Sequence, residues 1–493
     1  MVSTLSQLET PLFDALLKHR NRHPIQFHIP GHKKGQGIDP AFREFVGDNV
    51  LSIDLINIAP LDDLHSPKGA IKEAQHLAAE AFGADATFFS VQGTSGAIMT
   101  MILTICGPGD KLLVPRNVHK SIMSAIVFAG AIPVFIHPEV DTELGISHGI
   151  SAESVERALD AHPDASGLLV INPTYFGFAA DLKRIVDLAH SRNIPVVVDE
   201  AHGVHIHFHD KLPISAMAAG ADMAATSVHK LGGSMTQTSV LNVREGLVSS
   251  KRVQSILSML TTTSTSYPLL ASLDTARRQL AIHGYDLIDQ AIKISKDARK
   301  RINTIPHLYC AGIEKLRTSA TYDMDPTKIL ISVKDLGITG YEAEKWLREK
   351  ANIEVELSDL YNILCLITLG DSRKEVNLLI NALTRMSAAF ESEAEVKETE
   401  VTLPEIPGLA MSPRDAFYAE TETVKLAEAA GRISAEFVMV YPPGIPIFIP
   451  GEIIAQDNID YIAMNIEAGL PVQGPEDDTL ETIHVIKETK AIY

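Results

Sequence analysis

Three cysteines in 493 residues, Cys106, Cys310 and Cys365, stand too far apart to form a C-x-x-C pair or a disulfide framework. They read as reduced core residues of a cytosolic protein. No apolar run approaches the roughly 20 residues that span a bilayer, which excludes a helical membrane protein. Met1 to Ser6 lacks a basic stretch followed by a long apolar one, so no secretory signal is expected. Low-complexity tracts are missing. So is basic charge: 43 Lys and Arg against 62 Asp and Glu leave a net charge of −19, where a nucleic-acid surface would carry a basic footprint. What remains is a soluble, cytoplasmic chain long enough for about three domain-sized units.

What is present is alternation. Lys111 to Pro115, Ile132 to Ile136, Gly167 to Ile171 and Val196 to Val198 are short apolar runs separated by helical segments. One helix is expected after Asp181 as N-cap, with Leu182, Ile185, Val186 and Ala189 at helical spacing. Such alternation predicts an α/β fold, a mainly parallel sheet covered by helices on both faces. It fills residues 76–280, after an N-terminal segment, 1–75, that contains the glycine-rich, basic stretch Phe27 to Gly37. A long helix, Tyr285 to Ile302, should lead into a smaller α/β domain, 281–395, holding Lys328 to Val333. The acidic run Glu391 to Glu400, followed by Pro404 and Pro407, marks a linker into a C-terminal domain, 396–493.

Three stretches carry chemistry. Ser227-Val228-His229-Lys230 follows the apolar run from Met223 and sets an amine where a buried strand ends. An amine that condenses with an aldehyde needs a partly desolvated site and a fixed approach. Val196-Val197-Val198 ends in Asp199, an acid at a strand's carboxyl end, where ligands of open α/β sheets bind. Gly93-Thr94-Ser95-Gly96 opens an apolar helix, so backbone N–H groups and the helix dipole can receive a phosphate there. Phosphate cradle, acid and lysine in that order point to pyridoxal 5'-phosphate, with Asp199 facing the pyridine nitrogen. Asn117-Val118-His119-Lys120-Ser121 also follows a strand; His119 there reads either as a helix cap or as a ring that stacks on the cofactor.

These motifs, with Phe27-His28-Ile29-Pro30-Gly31-His32-Lys33-Lys34-Gly35, Asp199-Glu200-Ala201-His202-Gly203 and Tyr441-Pro442-Pro443-Gly444-Ile445-Pro446, resemble one family along essentially the whole chain. It is the ornithine, lysine and arginine decarboxylases of fold type I, in the short bacterial form nearest the biosynthetic arginine decarboxylases of bacilli. The resemblance implies an aspartate-aminotransferase-like large domain, a smaller α/β domain and a C-terminal decarboxylase domain. It implies a lyase that converts L-arginine to agmatine and CO2 for polyamine biosynthesis, with lysine or ornithine as alternative substrates. Gly93, Thr94, Ser95, His119, Asp199, His202, Ser227, His229, Lys230 and Ser264 would hold the cofactor, and Lys230, His119 and Asp199 would act in catalysis. The segment around Ser264 would serve the site of a partner subunit, which makes a homodimer with shared active sites the minimum assembly. The loop Phe27 to Gly37 would lie by the active site, and Tyr441 to Pro446 near the substrate entrance, where Glu452 could meet a cationic substrate tail.

Rival readings exist. Cofactor chemistry alone does not choose decarboxylation over transamination or aldol cleavage, and a cofactor-dependent regulator would carry a basic DNA-binding module that this chain lacks. His202, His205, His207 and His209 offer a metal-binding reading, because on an extended segment 205, 207 and 209 point to one face. Against it, Val204, Ile206 and Phe208 read as the buried face of an edge strand, with the histidines as its polar face and no metal bound.

Overall fold

A computed structural model describes residues 6–390, 404–440, 445–467 and 472–487. The N-terminal residues 1–5, the acidic run 391–400 and residues 441–444 of the Tyr441 to Pro446 motif lie outside the described residues. The chain forms two compact units, the first taking Met1–Ile105, Asn193–Gln290 and Thr368–Gly370, the second taking the rest.

In the first unit four strands lie in the order Ala86–Ser90, Ser239–Val243, Met223–Ser227, Val196–Asp199. Val196, Val197 and Val198 are fully buried, as a β-branched run with water on neither face must be. Val196–Asp199 runs parallel to Met223–Ser227, with Asp199 opposite Ala225. Ser239–Val243 is antiparallel to both its neighbours and pairs Ser239 with Ser227 on one side and with Ser90 on the other. That register brings the carboxyl ends of three strands, Ser90, Asp199 and Ser227, to one edge. A parallel strand in place of Ser239–Val243 would need a crossover; the reversal takes only the short turn after Lys230.

The second unit has its own parallel trio, Lys111–Pro115 between Ile132–Ile136 and Ala165–Ile171. The helix Leu182–His190 starts as expected, the Asp181 carboxylate accepting the Arg184 N–H at 3.2 Å, with Leu182, Ile185, Val186 and Ala189 buried. A four-stranded antiparallel sheet around Lys328–Ser332 and Asn362–Leu366 closes over the helices Gly340–Ala351 and Arg373–Phe390 through one apolar cluster. The C-terminal part keeps a separate core of Val438, Phe448, Ile462 and Val485.

The long helix begins earlier than its stripe predicts. It covers Tyr267–Ile302, 36 residues, with Pro268 in the first turn, where its missing N–H costs nothing. Among the described residues no helix is long and apolar enough to cross a membrane. The three cysteines are free and buried.

Candidate active site

Three strand ends at one edge of the first unit deliver three different groups. After Ser90 the chain turns through Gly93, whose φ of +66° is one that side chains disfavour, into the helix Gly93–Ile105. The first N–H groups of a helix have no intrahelical acceptor. The Gln237 carbonyl takes that of Gly93 at 2.8 Å, which leaves those of Thr94, Ser95 and Gly96 for an anion. The Thr94 and Ser227 hydroxyls bond each other in the interior, tying this turn to the strand before Lys230.

Lys230 stands on a four-residue helix, Val228–Leu231, directly after Met223–Ser227. Its Nζ lies 2.7 Å from Nε2 of His202, a buried ring that enters from the loop after Asp199. The neighbouring His229 turns away, its Nδ1 2.7 Å from the Thr238 carbonyl oxygen. Asp199 ends its strand with 5% of its surface exposed and takes one hydrogen bond among the described residues, from the Ala201 N–H to Oδ1 at 3.2 Å. Burial pushes its carboxyl up to about 6, the Ala201 N–H and the Lys230 charge pull it back, and the Glu200 charge adds to the rise. A desolvated carboxylate with so few donors is suited to a cationic N–H partner. Amine, carboxylate and anion cradle on one edge thus fit pyridoxal phosphate.

The other expected residues have local partners of their own. His119 belongs to the second unit, is exposed, and begins the helix Lys120–Ala129 as its N-cap, Nδ1 accepting the Ser121 N–H at 3.2 Å. Ser264 is exposed in a turn, 3.2 Å from the Thr262 hydroxyl. Within the Phe27 to Gly37 loop, His32 is fixed by Asp54 at 3.1 Å and accepts the Gly35 N–H.

Glu452 departs from its expected part. It is 1% exposed, and both carboxylate oxygens already face Arg116, Oε1 to Nη1 at 2.6 Å and Oε2 to Nη2 at 2.8 Å, while Oε2 also accepts the Ile449 N–H. Its cation comes from its own chain, and at 1% exposure it is not open to a substrate tail. Arg116 also donates to the Pro446 and Ile447 carbonyls and covers the Phe135 ring at 4.4 Å. The histidine segment departs too. Val204–Phe208 is a 3-10 helix and no edge strand. At three residues per turn the side chains do not alternate between two faces. Val204 and Ile206 are buried as expected, but so are His205 and His209. His207 meets Glu200, and His209 stacks on Tyr285 at 4.3 Å. Among the described residues no group of three or more His, Cys, Asp or Glu side chains is gathered for a metal.

Two features escape sequence reasoning. Asp62 accepts the N–H groups of Lys68, Gly69 and Ile71 at 2.8 to 3.0 Å and so caps the helix Ala70–Phe82. Glu200, inside a recognised motif, is fully buried and accepts from Ala216, Thr226 and His207. No cap or strand spacing announces either: Asp62 reaches donors six to nine residues on, and Glu200 draws its own from 7, 16 and 26 residues away.

The strand edge, its groups and the layers around them give the chain the fold of the fold-type-I pyridoxal-phosphate enzymes. The chain belongs to the Orn/Lys/Arg decarboxylase family: the family's major-domain model matches residues 10–375 and its C-terminal-domain model residues 396–479. It is a decarboxylase. An arginine decarboxylase of Bacillus anthracis is 71% identical over 489 residues, covering 99% of each chain. One of Bacillus subtilis is 69% identical over 489 residues, covering 99% of this chain and 100% of that one. The crystal structure of a lysine decarboxylase of Francisella novicida superposes with a TM-score of 0.84 at 23% identity, covering 97% of this chain and 81% of that one.

Proposed function

We propose that the chain uses pyridoxal phosphate to decarboxylate L-arginine to agmatine and carbon dioxide. The observation that carries this is the Lys230 amine held by His202 beside the buried Asp199, in a chain 71% and 69% identical to arginine decarboxylases over nearly its whole length. When bound, the cofactor supplies a ring that takes up the electron pair of the Cα–carboxylate bond. Lys230 binds its aldehyde, and His202 aims the amine. Asp199 holds the proton on the ring nitrogen. The N–H groups of Thr94 and Ser95 hold the phosphate, with the Ser227 hydroxyl fixing Thr94 and His229 fixing the turn beyond Lys230.

His119 would provide an imidazole against the ring, and Lys230 or His119 would supply the proton that Cα takes up. Ser264 of one subunit serves the phosphate of its partner in a homodimer. Ile25, Phe27, Ile29 and Phe45, all exposed on the first unit, are the kind of apolar surface a second subunit covers. Three free, buried thiols suit a cytoplasmic enzyme. The domains divide as 1–75, 76–280, 281–395 and 396–493.

The test is a competition assay on cofactor-loaded enzyme offered arginine, lysine and ornithine together. Agmatine is expected to dominate. Cadaverine or putrescine as the main product overturns the substrate, and no amine product overturns the reaction.

A further inference from the structure

Glu200 and His207 have no part in the proposed reaction, yet the two meet out of reach of water. Their side chains are 0% and 2% exposed, and Nε2 of His207 lies 2.6 Å from Oε2 of Glu200. Glu200 accepts throughout: Oε1 takes the Ala216 N–H at 2.7 Å and Oε2 the Thr226 hydroxyl at 3.1 Å. On its other side the His207 ring has its Nδ1 3.3 Å from the Phe82 carbonyl oxygen, and the Phe82 ring meets it edge-on at 5.0 Å. Both ring nitrogens therefore face acceptors. A neutral imidazole carries a proton on only one nitrogen, so the arrangement is satisfied by the imidazolium, paired with an ionised Glu200.

Glu200 directly follows Asp199, and its charge acts on the Asp199 carboxyl toward protonation, opposed by the Lys230 charge. Two adjacent buried carboxylates without a cation resist ionising together. Of the groups that touch the pair from neighbouring elements, the Ala216 N–H, the Thr226 hydroxyl and the Phe82 carbonyl carry no charge. We propose that His207 is a positioning residue whose charge cancels that of Glu200, so that Asp199 stands as the net anion of the strand edge and can hold a cationic cofactor ring. This rests on the assignment of Asp199 to the cofactor. It gives the third of the clustered histidines a part that metal binding does not.

The experiment is a double-variant cycle read on cofactor affinity and on the visible absorption of the bound cofactor, using the full chain. His207→Gln keeps a donor for Glu200 and removes the charge; Glu200→Gln removes the charge that needs cancelling. H207Q is expected to weaken cofactor retention about tenfold or more and to change the absorption band, and the double variant E200Q/H207Q to recover most of the loss. A pair that only props the fold predicts the opposite, because the second substitution then adds damage. Retention in H207Q equal to that of the parent, or a double variant as weak as H207Q or weaker, overturns the proposal. Should H207Q not fold, the double variant decides: retention near the parent's supports charge cancellation and loss overturns it. Asp199→Asn separates the two levels. If it leaves retention unchanged the cofactor assignment itself fails, whereas a damaging Asp199→Asn beside a silent H207Q removes only the part given to His207.

Discussion

Asp199 and Glu452 are both carboxylates stripped of water, and burial pushes the carboxyl of each upward. Their surroundings differ in one respect. Glu452 is closed by a two-pronged Arg116 and a backbone N–H, while Asp199 has a single N–H at 3.2 Å and the more distant charge of Lys230. A carboxylate whose partners are all supplied by its own chain holds the fold together; one left short of partners is held ready for something else. Satisfaction, more than burial, separates the structural acid from the functional one.

Breaking the saturated pair should have the largest effect on stability. Glu452→Gln leaves Arg116 charged and buried with one good acceptor gone, and should destabilise the protein by about 3–5 kcal/mol in denaturant unfolding. Replacing both residues by Met should return most of that loss, because the desolvation penalty goes with the charges. A Glu452→Gln protein as stable as the parent would mean that the pair does not close the structure.

Asp199→Asn should reverse the pattern. On the proposed part of Asp199 at the ring nitrogen, loss of its charge should lower kcat/KM on the order of 10²–10³-fold in steady-state assays, as when a preorganised electrostatic partner is lost. The cofactor-free protein should meanwhile become more stable at pH 7, since an amide avoids the burial cost of the anion. The size follows from the carboxyl's rise from 3.8 to about 6, which caps the gain at about 3 kcal/mol. A raised carboxyl means that the folded state binds the proton more tightly. Its stabilising share is full below pH 3.8 and is lost as pH rises through about 6. The stability difference between Asp199→Asn and the cofactor-free parent should therefore open across that window and stay flat above it.

How legible this contrast is from the sequence depends on the range of the interaction. Val196 to Asp199 announces a buried strand ending in an acid because β-branched runs and a terminal polar residue are local signals, and the helix after Asp181 likewise writes its cap and its stripe within nine residues. Arg116 and Glu452 are 336 positions apart, so nothing near Glu452 says that its charge is already taken. Glu200 has the same difficulty at shorter range, for its acceptors are filled from Ala216 and Thr226. The histidine segment misleads for another reason. Apolar and polar residues alternate there with the period of a strand, but with burial on all sides the alternation carries no information, and the chain takes the tighter 3-10 path after Gly203. Strand direction is equally silent: Ser239–Val243 is antiparallel to both neighbours, and nothing in its residues marks the reversal.

At the exposed end of the same scale stands Glu342. It caps the helix Gly340–Ala351, its Oε2 accepting the Thr339 N–H at 2.7 Å while the Thr339 hydroxyl accepts the Glu342 N–H at 3.2 Å. Here the carboxylate takes its donors from Thr339 on one oxygen and keeps its water, so removing a partner strands no buried charge. Thr339→Ala should therefore cost only about 1 kcal/mol in the unfolding midpoint, the usual worth of a helix cap. If satisfaction and desolvation act together as the first two acids imply, the loss at Thr339 must stay well below that at Glu452 despite similar hydrogen-bond geometry. Equal losses would mean that hydrogen-bond geometry alone sets the scale and that burial adds nothing.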